Sequence, residues 1–297
     1  MLAVMSDEAS FAPDLFRGTA GYYDEFRLLY PPTMLDDLTC RTAPSGRGRL
    51  LDLACGTGQL AFALRGSFAE SWAVDQEPDM IEVVAAKALV VGAAAGGAAA
   101  GAGRVRAVVA SAEGLDAPAG HFELIVIGNA FHRLRRDAVA RLAYRWLAPG
   151  GFLALCWSSG PQAGSRDWQL AFSGVLRRWQ AALDAGDRVP ANWALARAER
   201  PDADVLSGAG FEPAGRFEFL VEHRWTLPEL AGFARSLSVL PAAALANQGS
   251  AFDAELAAVL GPYVVDGGFT ETVSFAYELG RTGVLPLQRG ERYNGVT

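Results

Sequence analysis

The sequence predicts an α/β fold: a mostly parallel seven-stranded sheet with helices on both faces and an added helical lid. Three observations carry that prediction. Short apolar runs alternate with helix-like segments from residue 49 to residue 157, as strands and crossover helices do in a parallel sheet. A glycine-bearing turn, Asp52-Leu53-Ala54-Cys55-Gly56-Thr57-Gly58, follows the first of those runs. After Trp157 the alternation gives way to a long amphipathic segment and two late strand-like runs.

Taken in order, residues 1–20 are mixed and are expected to fray at the start. Tyr22 to Thr39 reads as helical, with Pro31 and Pro32 either starting a second helix or bending the first. Arg49 to Ala54 (RLLDLA) is a short apolar run bounded by turn signals, hence a buried strand. The glycine turn leads into a helix at Leu60 to Arg65. Ser71 to Val74 is a second strand, and Pro78 and Asp79 open a helix that runs to about Val91. Residues 92–103 (GAAAGGAAAGAG) read as a flexible surface loop. Val105 to Ala110 and Phe122 to Ile127 are the third and fourth strands. Arg136 to Leu147 is a helix with Val139, Leu142 and Trp146 at helical spacing; Pro149, Gly150 and Gly151 close it before a fifth strand at Phe152 to Trp157. Asp167 to Ala185 is the long amphipathic helix. Phe217 to His223 and Thr272 to Glu278 are the late strands, with helices at Leu227 to Leu240 and Phe252 to Leu260 between them. This divides the chain into an N-terminal helical cap (1–48), a ligand-binding core (49–157), a helical lid (158–205), late strands with inserted substrate-side helices (206–282) and a flexible tail (283–297).

The totals narrow the function. A chain of 297 residues suits one catalytic domain with extra lid elements. The longest apolar stretch, Ala85 to Ala102, is broken by Lys87 and by glycines, so no membrane span is expected. No basic segment followed by an apolar run stands at the start, so no signal peptide is expected. Cys40, Cys55 and Cys156 are too few and too scattered for a disulfide framework or a metal site, which fits a reduced cytoplasm. The net charge of −7 and the absence of any run of more than two arginines speak against a nucleic-acid partner and toward a neutral or cationic small molecule. A monomer or a homodimer is expected. Lys87 is the only lysine.

The glycines of the turn let the backbone pass close to a ligand and swing sharply into a helix. Asp75, at the end of the second strand, can accept both hydroxyls of a ribose at the switch point of such a sheet. Two nucleoside cofactors suit this geometry. A dinucleotide matches the weaker pattern Gly56-x-Gly58-x-x-Ala61; S-adenosylmethionine also needs the turn, to admit its methionine portion. A purely structural turn is the third reading.

LLDLACGTGQLA resembles the first motif of class I S-adenosylmethionine-dependent methyltransferases, and the likeness continues in register. VDQEPDMIEVV is similar to the family's second motif, SAEGLDAPAGHFELIVIGNAFHRL to the third and fourth, and LAPGGFLAL to the turn before the fifth strand. LFRGTAGYYDEFRLLYP looks like the approach helix of the small-molecule, natural-product branch. Dehydrogenases share the first motif and not the others. The resemblance implies a Rossmann-like sheet and S-adenosyl-L-methionine as cofactor. It also implies roles by position. Asp52 and the backbone of Ala54, Gly56 and Gly58 hold the methionine end. Asp75 binds the ribose, Gln76 and Met80 line the adenine, Ala112 and Glu113 sit at its edge, and Asn129 lies under the methionine portion. Ala54 stands where a glycine is usual, which is tolerable if its φ is negative. Ser111 stands where an Asp usually meets the adenine amino group.

For the chemistry, His132 is the best-placed titratable group and reads as a general base, or else as a cap of the following turn. Tyr22 and Tyr23 lie on the segment that the resembled family folds over the cofactor. Tyr22 is a catalytic and acceptor-binding candidate and Tyr23 a candidate at the sulfonium, with ordinary helix packing the rival reading for both. Arg27 could hold the cofactor's carboxylate or form a surface ion pair. Phe131 and Trp157 read as walls of the acceptor pocket, or as core. Asp184, Asp187, Glu199, Asp202 and Asp204 crowd the far end of the lid, as a polyamine or aminosugar site or as a solvated face. The reading is N-methylation of an aminosugar, of the kind met in aminoglycoside antibiotic biosynthesis, with O-methylation of a hydroxyl as the alternative. An NAD(P)-dependent oxidoreductase and a non-catalytic cofactor sensor are the readings from other classes.

Overall fold

The computed structural model describes residue 11 and residues 14–94, 103–183, 197–240 and 242–283. Seven strands form one sheet: β1 (Arg49–Leu53), β2 (Glu70–Asp75), β3 (Arg104–Val109), β4 (Phe122–Gly128), β5 (Leu147–Ser158), β6 (Glu212–Trp225) and β7 (Phe269–Arg281), in the order β3-β2-β1-β4-β5-β7-β6. β1 to β5 pair in parallel; β7 runs antiparallel to both of its neighbours, β5 and β6. The strand order reverses between β1 and β4, so the crevice at their carboxyl ends is where a ligand belongs. The antiparallel β7 departs from the 3-2-1-4-5-6 order of the dinucleotide-binding sheet.

Period-two burial builds the two faces. Leu51, Leu53, Ile125 and Ile127 point to one side, against Val139, Ala143 and Trp146 of α5 (Arg136–Trp146) and Val205 and Leu206 of α7 (Asp202–Gly208). Leu50, Leu124 and Val126 point to the other, against Met34 and Leu38 of α2 (Pro32–Thr42) and Leu60 and Leu64 of α3 (Gln59–Leu64). The lid has a core of its own. Trp168, Phe172 and Leu176 of α6 (Asp167–Ala182) pack on Phe233 of α8 (Leu227–Arg235) and on Phe252 and Leu256 of α10 (Gly249–Leu260), α9 being Ala242–Leu245. Thr226 and Glu229 start α8 with a reciprocal capping box.

Several elements differ from the sequence reading. The first helical segment is two helices, α1 (Ala20–Phe26) and α2, because Pro31 holds extended backbone (φ −68°, ψ 144°) and Pro32 takes the first helical position. Turns, not a helix, join β3 to β4. The late strands are longer than expected, since β6 and β7 pair along their whole length from Glu212↔Arg281 to Trp225↔Phe269. The helix expected to reach Leu240 ends at Arg235, where the Ser236 hydroxyl caps the Phe233 carbonyl. Residues 95–102 of the glycine-rich stretch, Asp184 and Asp187, and the tail from residue 284 lie outside the described residues. Among the described residues no helix is long and apolar enough to cross a membrane.

Candidate active site

The turn after β1 is built from left-handed backbone: Ala54, Gly56 and Gly58 have φ of +54°, +54° and +80°. A Cβ on Gly56 would stand 3.1 Å from the Tyr23 ring, and one on Gly58 3.1 Å from Phe62 and 3.2 Å from Val84. A side chain at either would be both strained and crowded, which favours glycine. Ala54 corrects the expectation of a negative φ: the turn forces alanine into the left-handed region, which costs roughly 1–2 kcal/mol for an L-residue.

Two carboxylates hold the turn from behind. Asp52 is buried and accepts the Ala61 amide of α3 at 2.8 Å. Burial pushes its carboxyl up to about 8, against the lowering effect of that hydrogen bond. Asp75 accepts the Gly56 amide at 2.8 Å and the Glu77 amide at 3.0 Å. Burial raises it too, with these backbone bonds opposing. The cap is clamped on from α4 (Pro78–Ala94): Lys87 pairs with Asp24 of α1 and donates to the Thr57 carbonyl at 3.2 Å, and Asp79 accepts the Gly18 amide at 2.8 Å.

Two cavities open at the switch point. The smaller, about 230 Å³, is lined by Ala54, Gly56, Asp75, Gln76, Glu77, Met80, Ala112 and Glu113. The larger, about 480 Å³, is lined by Arg27, Phe131, His132, Trp157, Arg197, Asp202 and Phe233 among others. Phe11, Phe16, Tyr23, Asn129, Ala130 and Arg133 line both, and so form the neck. Asn129, itself left-handed at φ +52°, fixes that neck. Its amide donates to Tyr30 Oη (3.2 Å) and Ser158 Oγ (3.3 Å), and its Oδ1 accepts the Ser158 N–H (3.0 Å), tying the end of β4 to the end of β5.

The expected cofactor residues Ala54, Gly56, Asp75, Gln76, Met80, Ala112, Glu113, Tyr23 and Asn129 thus share one cavity. Asp52 and Gly58 stand outside its lining and shape the turn instead. Arg27 borders only the larger cavity, where its Nε and Nη2 donate to Ser236 Oγ and the Ser236 carbonyl, both at 2.9 Å. Of the expected acceptor residues, Phe131, His132 and Trp157 line the larger cavity. Tyr22 does not: its ring stacks on Phe26 under Arg235, away from both cavities. The His132 imidazole is pushed down to about 3 by burial and then by the charges of Arg133, Arg197 and Arg136. It is neutral at physiological pH and a weak proton acceptor.

Three residues were missed by sequence reasoning. Arg133 borders both cavities, donates to His132 Nε2 at 3.2 Å and lies over the Phe16 ring. Glu77 is buried, lines the smaller cavity, and its Oε1 has no hydrogen-bond partner among the described residues. Arg197 borders the larger cavity and pairs with Asp202 at 2.6 Å. No spacing rule marks any of them; Glu77 alone carried a signal, standing two residues past Asp75.

Residues 50–151 match the methyltransferase-domain family. That stretch holds β1 to β4, the turn, Asp75 and Asn129. Uncharacterized methyltransferases of Mycobacterium tuberculosis and Mycobacterium bovis are 28% identical over 144 residues, 48% of this chain and 52% of theirs. The chain therefore spans about half the length of the curated relatives it matches. Among solved structures, a protein of Anaeromyxobacter dehalogenans assigned as a type II methyltransferase is 21% identical with a TM-score of 0.53, over 88% of this chain and 99% of that one. A Bacillus halodurans protein assigned as a methyltransferase is 19% identical with a TM-score of 0.51, over 85% and 100%. At that identity the likeness is one of fold.

Proposed function

We propose that this chain is an S-adenosyl-L-methionine-dependent methyltransferase acting on a small molecule. The observation that carries the reading is the charge of the smaller cavity. Among the described residues Asp75, Glu77 and Glu113 line it against one cation, Arg133. A dinucleotide would bring a pyrophosphate to this turn, yet Asp52 already fills an amide of the following helix N-terminus, at Ala61. A sulfonium nucleoside fits such a site better. The orphaned Glu77 Oε1 asks for a donor, which a ribose diol supplies alongside Asp75. Met80, Ala112 and Leu134 offer an apolar slot for the base, and Glu113 its polar edge. Ala54, Gly56, Tyr23 and Asn129 surround the space for the methionine end.

The bound cofactor supplies an activated methyl group, so the chain's task is to position, orient and exclude water. The neck between the cavities is where the transferred group would pass, and the larger cavity is the acceptor site. N-methylation of an aminosugar draws support from the acidic composition but none from the cavity lining. Arg27, Arg133 and Arg197 repel an ammonium, and Asp202 is held by Arg136 (3.0 Å) and Arg197 (2.6 Å). O-methylation suits the lining better.

Calorimetry tests this reading. Titration with S-adenosylhomocysteine should give saturable one-site heat, and NADPH none. Glu77→Gln should weaken the thioether about tenfold, the worth of one charge-assisted hydrogen bond of ~1.5 kcal/mol. Binding of NADPH in place of the thioether would transfer the site to the dehydrogenase reading.

A further inference from the structure

The methyl-transfer reading leaves the acceptor open, and the larger cavity narrows it. Among the described residues its lining carries three guanidiniums, Arg27, Arg133 and Arg197, and one carboxylate, Asp202, which Arg136 and Arg197 already neutralise. Among the described residues neither Arg27 nor Arg133 has a carboxylate at ion-pair distance. Arg27 is occupied by Ser236 through Nε and Nη2, and Arg133 by His132 through Nε. A desolvated guanidinium without an anion is costly. Burial and the repulsion of Arg27 lower Arg133 to about 10, still a cation at neutral pH. The cofactor brings a single carboxylate. Were Arg133 to bind it, Arg27 and Arg197, which border only the larger cavity, would still leave that cavity positive.

Among the described residues its lining holds two candidate bases, and both are engaged: His132 Nε2 accepts from Arg133 Nε at 3.2 Å, and Asp202 is paired with Arg136 and Arg197. An acceptor that arrives ionised needs no base. A carboxylic acid, with its ordinary pKa near ~4, does so; an alcohol, a phenol or an ammonium does not. The walls are apolar, with Phe131, Trp157, Trp225 and Phe233 among them.

Resting on the methyl-transfer reading, we infer that the acceptor is a small carboxylic acid with an apolar body, held as its carboxylate between Arg27 in the larger cavity and Arg133 at the neck, and that a carboxylate oxygen takes the methyl group. In that step an oxygen lone pair forms the new carbon–oxygen bond while the methyl carbon–sulfur bond breaks and leaves its pair on sulfur. A sulfonium and a carboxylate become a thioether and a methyl ester, and no proton moves. Opposite charges are annihilated, so a water-poor cavity favours the reaction.

The test uses the full chain saturated with S-adenosylhomocysteine and three probes of one shape: 4-phenylbutyrate, 4-phenylbutanamide and 4-phenylbutylamine. Calorimetry at pH 7.5 should show the acid binding at least tenfold tighter than the amide, and the amine weaker than the amide. Arg27→Gln, at a residue that borders only the larger cavity, should bring acid and amide to within about threefold while the thioether still binds. The proposal is overturned if the amide or amine matches the acid, if none of the three binds, or if Arg27→Gln keeps the acid's preference. It is also overturned if that variant loses the thioether, which would assign Arg27 to the cofactor. The comparison in the unmutated chain does not depend on any variant folding. Absence of heat in the preceding thioether titration would refute the methyl-transfer reading instead.

Discussion

Ala54→Gly should stabilise the protein although it removes a methyl group from the wall of a cavity. Ala54 has φ +54°, and a side chain in that region costs roughly 1–2 kcal/mol relative to glycine. Glycine returns about 0.4–1 kcal/mol through the larger entropy of its unfolded chain. The difference is a net gain of roughly 0.5–1 kcal/mol, or about 1–4 °C in melting temperature for a chain of this size. Reversible urea unfolding, with the midpoint and slope fitted separately, measures it. Ala43→Gly provides a control: Ala43 is also left-handed, at φ +41°, and closes α2 away from the cavities. Stabilisation by Ala43→Gly together with destabilisation by Ala54→Gly would refute the reasoning, because the Ala54 methyl would then be holding the turn by packing.

Asp52→Asn should flatten the pH dependence of stability. The folded carboxyl titrates near 8 and the unfolded one near ~4, so the folded state holds an extra proton between those values and stability falls as pH rises across that window. Thermal melts should find the Asn variant the more stable of the two at pH 9 and close to the parent at pH 5. His132→Gln should do the reverse on the acid side. The folded imidazole titrates near 3 and the unfolded one near ~6.5, so stability is lost as pH falls below ~6.5; the variant should remove about 1–2 kcal/mol of the difference between pH 7 and pH 5 in chemical denaturation. Asn129→Ala should destabilise by about 2–3 kcal/mol, since it strains the left-handed backbone and breaks the bonds to Tyr30 and Ser158. Asn129→Gly, free of the strain, should lose less in the same unfolding assay.

The core of the fold was legible because its signals are local. RLLDLA, the glycines and Asp75 lie within one β–turn–α–β unit, where covalent order alone brings them together. The gathering of Ala54, Gly56, Asp75, Met80, Ala112, Glu113 and Asn129 around one cavity follows from strand order in a parallel sheet. The acceptor side was less legible because distant segments make it. Arg133 meets Phe16, Tyr23 and Arg27 of the N-terminal cap, and Arg27 is fixed by Ser236 from beyond β6. Adjacent tyrosines on α1 point about a third of a turn apart, which no composition argument resolves: Tyr23 faces the neck and Tyr22 packs on Phe26. The acids at the far end of the lid suggested a cation site, but counting Asp202 as free charge overlooked Arg136, which meets it only in the fold.

The most direct measurement is a crystal structure of the full chain with S-adenosylhomocysteine bound. The account predicts the two ribose hydroxyls on the Asp75 and Glu77 carboxylates, the base between Met80 and Leu134, and the sulfur at the neck beside Tyr23 and Asn129. Density for the thioether elsewhere, or a ribose turned away from both carboxylates, would contradict it.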